Sequence, residues 1–259
     1  MASEQPVYRF TVDALGVSVF ADRRALGKAA AGAVRAEISR ASKAGGDVSM
    51  IFAAAPSQDE FLQELSSAGD VEFSRITAFH MDEYIGLPGE AEQRFATYLK
   101  RRLFGLVRFN RVHYLRPPEG DPAPECARYA SLLDAVTPDI VCMGIGENGH
   151  IAFNDPGAAD FSDPRAVKVV ELDARCRLQQ VHDGCFSRLE EVPARAITLT
   201  IPALMRARFI SCVVPGATKA EAVEQTLRGP IDPGCPASIL RMHRNAELFL
   251  DADSARLVL

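Results

Sequence analysis

Apolar residues fall along this chain in short runs separated by longer amphipathic stretches, a pattern of strands alternating with helices. Residues 8–12 and 17–20 read as a short hairpin, or as one strand with a lead-in. The alanine-rich stretch 23–43 has strong helix propensity, follows Asp22 as an acidic cap and is stopped by Gly45-Gly46. Residues 48–53 read as a buried strand. Ser57 then opens a helix over 58–67, with Glu60 three residues after the cap as in a capping box. Further strands are expected at 73–79, 138–143, 167–172, 196–201, 209–214 and 246–250, and helices at 92–104, 125–135, 218–228 and, at the end, 251–258. This order predicts an α/β fold, a three-layer sandwich around a mainly parallel, doubly wound sheet. No repeat or composition break divides the chain, so residues 1–259 read as one domain. Residues 154–166 and 173–192 lack strand character and read as lid-like segments beside a site.

Composition narrows the classes of partner. Lys and Arg total 29 against 34 Asp and Glu, a net charge of −5, which gives no general attraction to nucleic acid or anionic membrane. No stretch approaches the roughly 20 apolar residues of a membrane span, and the segment MASEQPVYRF lacks the pattern of a signal peptide. The six cysteines form no C-x-x-C pair and no zinc-ligand spacing, so the expectation is a reduced, cytoplasmic protein without a metal.

The chemistry gathers in GIGENGHIAFNDPG, residues 144–157, directly after the apolar run 139–143. Four glycines allow close backbone approach to a ligand, and Asn148, His150 and Asp155 stand among them as groups that bond or move protons. A second strand end carries Asp82 and Glu83. Parallel strands place their carboxyl ends on one edge, so these distant groups are expected to converge. One carboxylate and one histidine suit proton shuttling near neutral pH. A third turn, Val213 to Lys219, offers helix-start N–H groups and an ammonium to an anion. His80, beside Asp82, reads as a packing or hydrogen-bonding residue.

The segments FHMDEYIGLP (79–88) and GIGENGHIAFNDPG resemble the two signature segments of glucosamine-6-phosphate deaminases, and the likeness runs on through GATKAEAV to CPASILRMHRNAELFLD. The related 6-phosphogluconolactonases share the Gly-His step, whereas Ile151 to Asn154 and the Met-Asp-Glu-Tyr run are similar to the deaminase branch. The resemblance implies isomerisation of an amino-sugar phosphate with loss of ammonia, no cofactor, no metal and a homo-oligomer. It assigns Asp82 as the base working between C2 and C1, His150 as the ring-opening group, Asn148 and Asp155 as its partners, and Lys219 as a phosphate ligand.

The chain departs from the family at the phosphate. The family's Gly-Gly-Thr turn is replaced by Ala53-Ala54-Ala55-Pro56-Ser57-Gln58-Asp59, and Asp59 is expected to bring a negative charge near the phosphate. Ser57, Gln58, Gln180 and Arg175 are the substitute substrate ligands, Gln180 falling where the family carries an arginine. Asp155 stands where a glutamate is usual. Three readings follow: glucosamine-6-phosphate deamination, the same chemistry on another sugar or sugar acid, and a non-catalytic sugar-binding homologue. Hydrolysis of 6-phosphogluconolactone is a fourth.

Overall fold

The computed structural model describes residues 5–43 and 45–259; the first four residues of the segment read as free of a signal peptide lie outside it. Strands β1 (Tyr8–Val12) and β2 (Leu15–Phe20) form an antiparallel hairpin around Asp13, whose φ of 51° makes the tight turn. Then follow α1 (Arg23–Lys43), β3 (Val48–Phe52), α2 (Asp59–Ser66), β4 (Ile76–His80), β5 (Asp82–Tyr84) and α3 (Phe95–Leu99). The chain continues through β6 (Arg111–His113), α4 (Ala123–Asp134), β7 (Ile140–Met143), β8 (Val167–Glu171) and α5 (Ala174–His182). It closes with β9 (Arg195–Leu199), α6 (Ile201–Met205), β10 (Phe209–Val214), α7 (Ala220–Arg228) and β11 (Ala246–Asp251).

Eight strands form the main sheet in the order β1-β2-β11-β10-β7-β3-β4-β6, parallel throughout except for the hairpin. Alternation of side chains across the pleat divides its apolar residues between two cores. In β7, Ile140 and Cys142 join Leu26, Phe61 and Leu62 of α1 and α2, while Val141 and Met143 join Tyr129, Leu204 and Val223 of α4, α6 and α7. Both faces are thus covered by helices, as a sheet built of near-continuous apolar runs requires. The layers match the sequence expectation.

Several elements differ from that expectation. The strands expected at 167–172 and 196–201 form as β8 and β9, the second ending at Leu199 before α6, yet they leave the main sheet and join β5 in a separate antiparallel sheet ordered β5-β9-β8. The segment 173–192 contains α5, capped by Asp173, whose carboxylate accepts the N–H groups of Arg175 at 2.7 Å and Cys176 at 3.1 Å. No terminal helix forms: β11 runs on to Asp251, and residues 252–258 make only turns. Asp251 is held at the sheet edge because its carboxylate accepts the Gly216 N–H at 3.0 and 3.1 Å and that of Ser254 at 2.8 Å. Among the described residues no helix is long and apolar enough to cross a membrane, and all six cysteines are free thiols.

Chain order reverses between β3 and β7. From β3 the chain moves outward to β4 and β6, then returns to the other side of β3 as β7 and proceeds to β10 and β11. Crossovers on either side leave a crevice outside the carboxyl ends of β3 and β7, the place where open parallel sheets bind ligands.

Candidate active site

Four turns meet at that crevice. They follow β3 (Ala53 to Gln58), β4 (Met81 and Asp82), β7 (Gly144 to His150) and β10 (up to Lys219), and with α5 they enclose a cleft of about 500 Å³ counted to its open mouth. Asp82, His150, Ser57, Gln58, Gln180 and Lys219 all line it.

Asp82 sits two residues beyond the end of β4 and opens β5, where the chain turns into the small sheet. It is 6 % exposed, and burial together with the adjacent Glu83 pushes its carboxyl well above the usual range. Glu83 faces the other way and accepts N–H groups from Tyr84, Phe95 and Ala96 at 3.0 to 3.2 Å, fixing the start of α3, from which Phe95 reaches the cleft. His80 Nε2 accepts the Leu115 N–H at 2.9 Å, so Nδ1 carries the proton and donates to the Asp82 carbonyl at 2.9 Å. Burial pushes the His80 pKa down to about 4, which keeps this backbone clamp uncharged near neutral pH.

His150 is oriented from behind. Its Nδ1 lies 2.7 Å from Asn148 Oδ1 and 3.1 Å from Asp155 Oδ1, and Asn148 Nδ2 donates to the same Asp155 oxygen at 3.0 Å. These contacts leave Nε2 for the cleft. Burial would raise the Asp155 carboxyl, but the bonds and charge of His150, with donors from Asn148 and the Asp173 amide, hold it below its ordinary value. The loop geometry depends on its glycines. Gly149 has a φ of +83°, and a Cβ on Gly146 would stand 2.1 to 2.3 Å from His150 ring atoms.

At the other end, Lys219 lies in a tight turn after β10, 5 % exposed, with no ion pair or hydrogen bond from its side chain among the described residues. Burial lowers its pKa, against the opposing pull of Asp183 and Glu147. Gln58 Nε2 donates to Val213 O at 3.1 Å and to Ser57 Oγ at 3.2 Å.

Two expectations are corrected by placement. Arg175 is exposed and outside the cleft lining, because on α5 the inward positions are Cys176, Gln179 and Gln180. Asp59 does not face the cleft either; it bonds Tyr98 Oη and pairs with Arg102 Nε at 3.2 Å. Asn148 and Asp155 stand behind His150 instead of lining the cleft. Gln179 went unnoticed in the sequence: it lines the cleft, and its Oε1 accepts the Glu147 N–H at 2.8 Å, tying α5 to the glycine loop. Reading Asp173 as a helix cap would have revealed it, since Cys176, Gln179 and Gln180 are then spaced along one helix face.

His150, Asp155 and Cys176 bring potential ligand atoms within 4.8 Å of one another. The nitrogen and carboxylate of this group engage each other at hydrogen-bond distances, the spacing of a proton relay.

Curated relatives are similar to this chain over most of its length. A glucosamine-6-phosphate deaminase of Rhodopirellula baltica is 37 % identical over 204 residues, 77 % of this chain and 78 % of the relative. One of Bacillus cereus is 36 % identical over 184 residues, 71 % and 68 % of the two chains. Among solved structures, a monomeric glucosamine-6-phosphate deaminase superposes with a TM-score of 0.85 at 28 % identity, covering 93 % of this chain and 99 % of that one. The 6-phosphogluconolactonase of Thermotoga maritima shares the fold, with a TM-score of 0.75 at 16 % identity over 92 % of this chain and 99 % of that one. Residues 21–249 match the model of the glucosamine-6-phosphate isomerases/6-phosphogluconolactonase family, and the chain belongs to that family.

Proposed function

We propose that this protein converts glucosamine 6-phosphate to fructose 6-phosphate and ammonia. The observation that carries the reading is that Asp82 and His150 line one cleft, each with its own support, while Lys219, without an ion pair among the described residues, lines the same cleft. His150, held through Nδ1, uses Nε2 to pass a proton between the anomeric hydroxyl and the ring oxygen, which opens the pyranose. Asp82 then takes the proton from C2 and returns it to C1, while a proton passes from the amine nitrogen to the C1 oxygen. This leaves an imine at C2, and its hydrolysis by water releases ammonia and the ketose. A carboxylate whose pKa burial has raised is the stronger base for that step, and each positioned acid or base contributes typically ~10²–10⁴-fold. Asn148 and Asp155 act by orienting His150, and Ser57, Gln58, Gln180 and Lys219 hold the phosphate end. Arg175, exposed on α5, has no part in it.

The scheme asks for no cofactor or metal. Residues 1–259 act as one domain in the cytoplasm, in keeping with the net charge of −5 and the free thiols. Assembly into a homo-oligomer, which the family likeness suggests, is also part of the proposal. The monomeric deaminase relative represents the alternative, and light scattering at micromolar concentration separates the two.

Asp82→Asn tests the proton path. In deuterated water the wild type is expected to place solvent deuterium at C1 of the product, and Asp82→Asn to lose turnover and exchange by at least about 10³-fold with substrate affinity kept within a few-fold. Exchange persisting in Asp82→Asn would remove Asp82 as the base. The same chemistry on another sugar is favoured by one observation, the glycine-free turn Ala53 to Ser57. Exchange on a different sugar phosphate, with none on glucosamine 6-phosphate, would select that reading.

A further inference from the structure

The side chains that replace a glycine turn at the anion end of the cleft have their own consequence for charge. Gln58 is 1 % exposed, and both bonds from its amide are made by Nε2, to Val213 O and Ser57 Oγ. A backbone carbonyl only accepts, so Val213 dictates which end of the amide faces it. Gly144 leaves the room for this arrangement: a Cβ there would stand 3.0 Å from Gln58 Nε2 and 3.1 Å from Val213 O. Gln58 Oε1 is consequently a buried acceptor without a partner among the described residues. Such an atom calls for an explanation, and at a cleft wall the simplest is a donor brought by the ligand.

Charge points the same way. Among the described residues lining the cleft, Lys219 is the one lysine or arginine. One cation balances one negative charge, whereas a dianion in a recess that also holds Asp82 would leave a charge uncompensated. Ser57 Oγ accepts from Gln58, so its own hydroxyl proton is available to an oxyanion.

We propose that this cleft takes a phosphate monoester as its singly protonated monoanion, with Lys219 pairing the charge and Gln58 Oε1 accepting the P–OH proton. The inference rests on the assignment of the Lys219 end as the phosphate end. A dianion or a sulfate ester has no proton to offer Gln58, so both are disfavoured. The second pKa of such a phosphate is near ~6, and the monoanion therefore falls about tenfold per pH unit above neutrality. The other titratable groups facing this end are Asp183 of the turn after α5, Cys176 of α5, Glu147 of the glycine loop, itself 3.4 Å from His182 Nδ1, and Asp82 and His150 across the cleft.

The test is binding, measured by calorimetry on the full chain with the 6-phosphate and the 6-sulfate of 2-amino-2-deoxyglucitol, which lack the C1 carbonyl and are not turned over, at pH 6 and pH 8. At pH 6 the wild type is expected to bind the phosphate at least about tenfold more tightly than the sulfate, as a site built around a hydrogen bond rejects an analogue lacking it. Between pH 6 and 8 the phosphate should lose about tenfold or more relative to the sulfate, a comparison that cancels titration of Lys219 and Asp82. Gln58→Leu should bring the two esters within about twofold and flatten the difference with pH. Equal binding of the two esters by the wild type, an undiminished preference in Gln58→Leu, or binding of neither ester would each overturn the proposal. The expected preference without ammonia release from glucosamine 6-phosphate would remove the deaminase reading and leave this inference standing.

Discussion

At Gly146 the backbone passes so close to His150 that a methyl group would lie 2.1 Å from ring Cε1. The histidine is therefore trapped between this glycine and the Asn148–Asp155 pair, and its orientation belongs to the loop as much as to the ring. Gly146→Ala is expected to displace the imidazole and to lower kcat about 100-fold or more, because misplacement of a reacting group by about 1 Å has that scale of cost. Circular dichroism should show the fold intact; full activity in Gly146→Ala would show that the ring has freedom the packing denies. Residues of this kind were legible in the sequence, since a histidine and its partners within eight positions of one glycine-rich loop must share a site. Arg175 was not correctly read, because its neighbours mattered less than its phase on a helix that the sequence did not reveal. Asp59 was misread for the related reason that Tyr98 and Arg102, far along the chain, turn its charge away.

Among the elements, α5 is the one on which the site depends most and which the sequence hid best. Its residues have low apolar periodicity, and it lies between two short strands that pair away from the main sheet. It nevertheless delivers Gln179 and Gln180 to the cleft, and the Asp173 cap holds its first turn while the Asp173 amide donates to Asp155 Oδ2 at 3.3 Å. Asp173→Ala removes the cap, which typically costs ~1 kcal/mol of stability. The expected kinetic signature is a KM raised several-fold with kcat changed much less, since α5 brings Gln179 and Gln180 to the cleft wall and carries neither Asp82 nor His150. A melting temperature and KM both unchanged would show that α5 stands without its cap. The terminal helix expected over 251–258 failed because propensity over so short a segment is weak beside the fixed hydrogen bonds that hold Asp251 in β11.

For the whole molecule, alternation of strand and helix was enough to read a three-layer α/β sandwich with a mainly parallel sheet, and hence a site at its carboxyl edge. Strand order was not readable, because nothing local says that β7 returns beside β3. That return is what makes the crevice and brings Asp82, His150, Gln58 and Lys219 together from four separate turns. The molecule as proposed is therefore a proton-transfer machine with an altered anion grip, and its reaction is open to one direct measurement. Purified protein incubated with glucosamine 6-phosphate is expected to release ammonia and fructose 6-phosphate in equal amounts, and Asp82→Asn and His150→Ala to release neither. Absence of both products at millimolar substrate, or release of acid from 6-phosphogluconolactone in their place, would contradict the account.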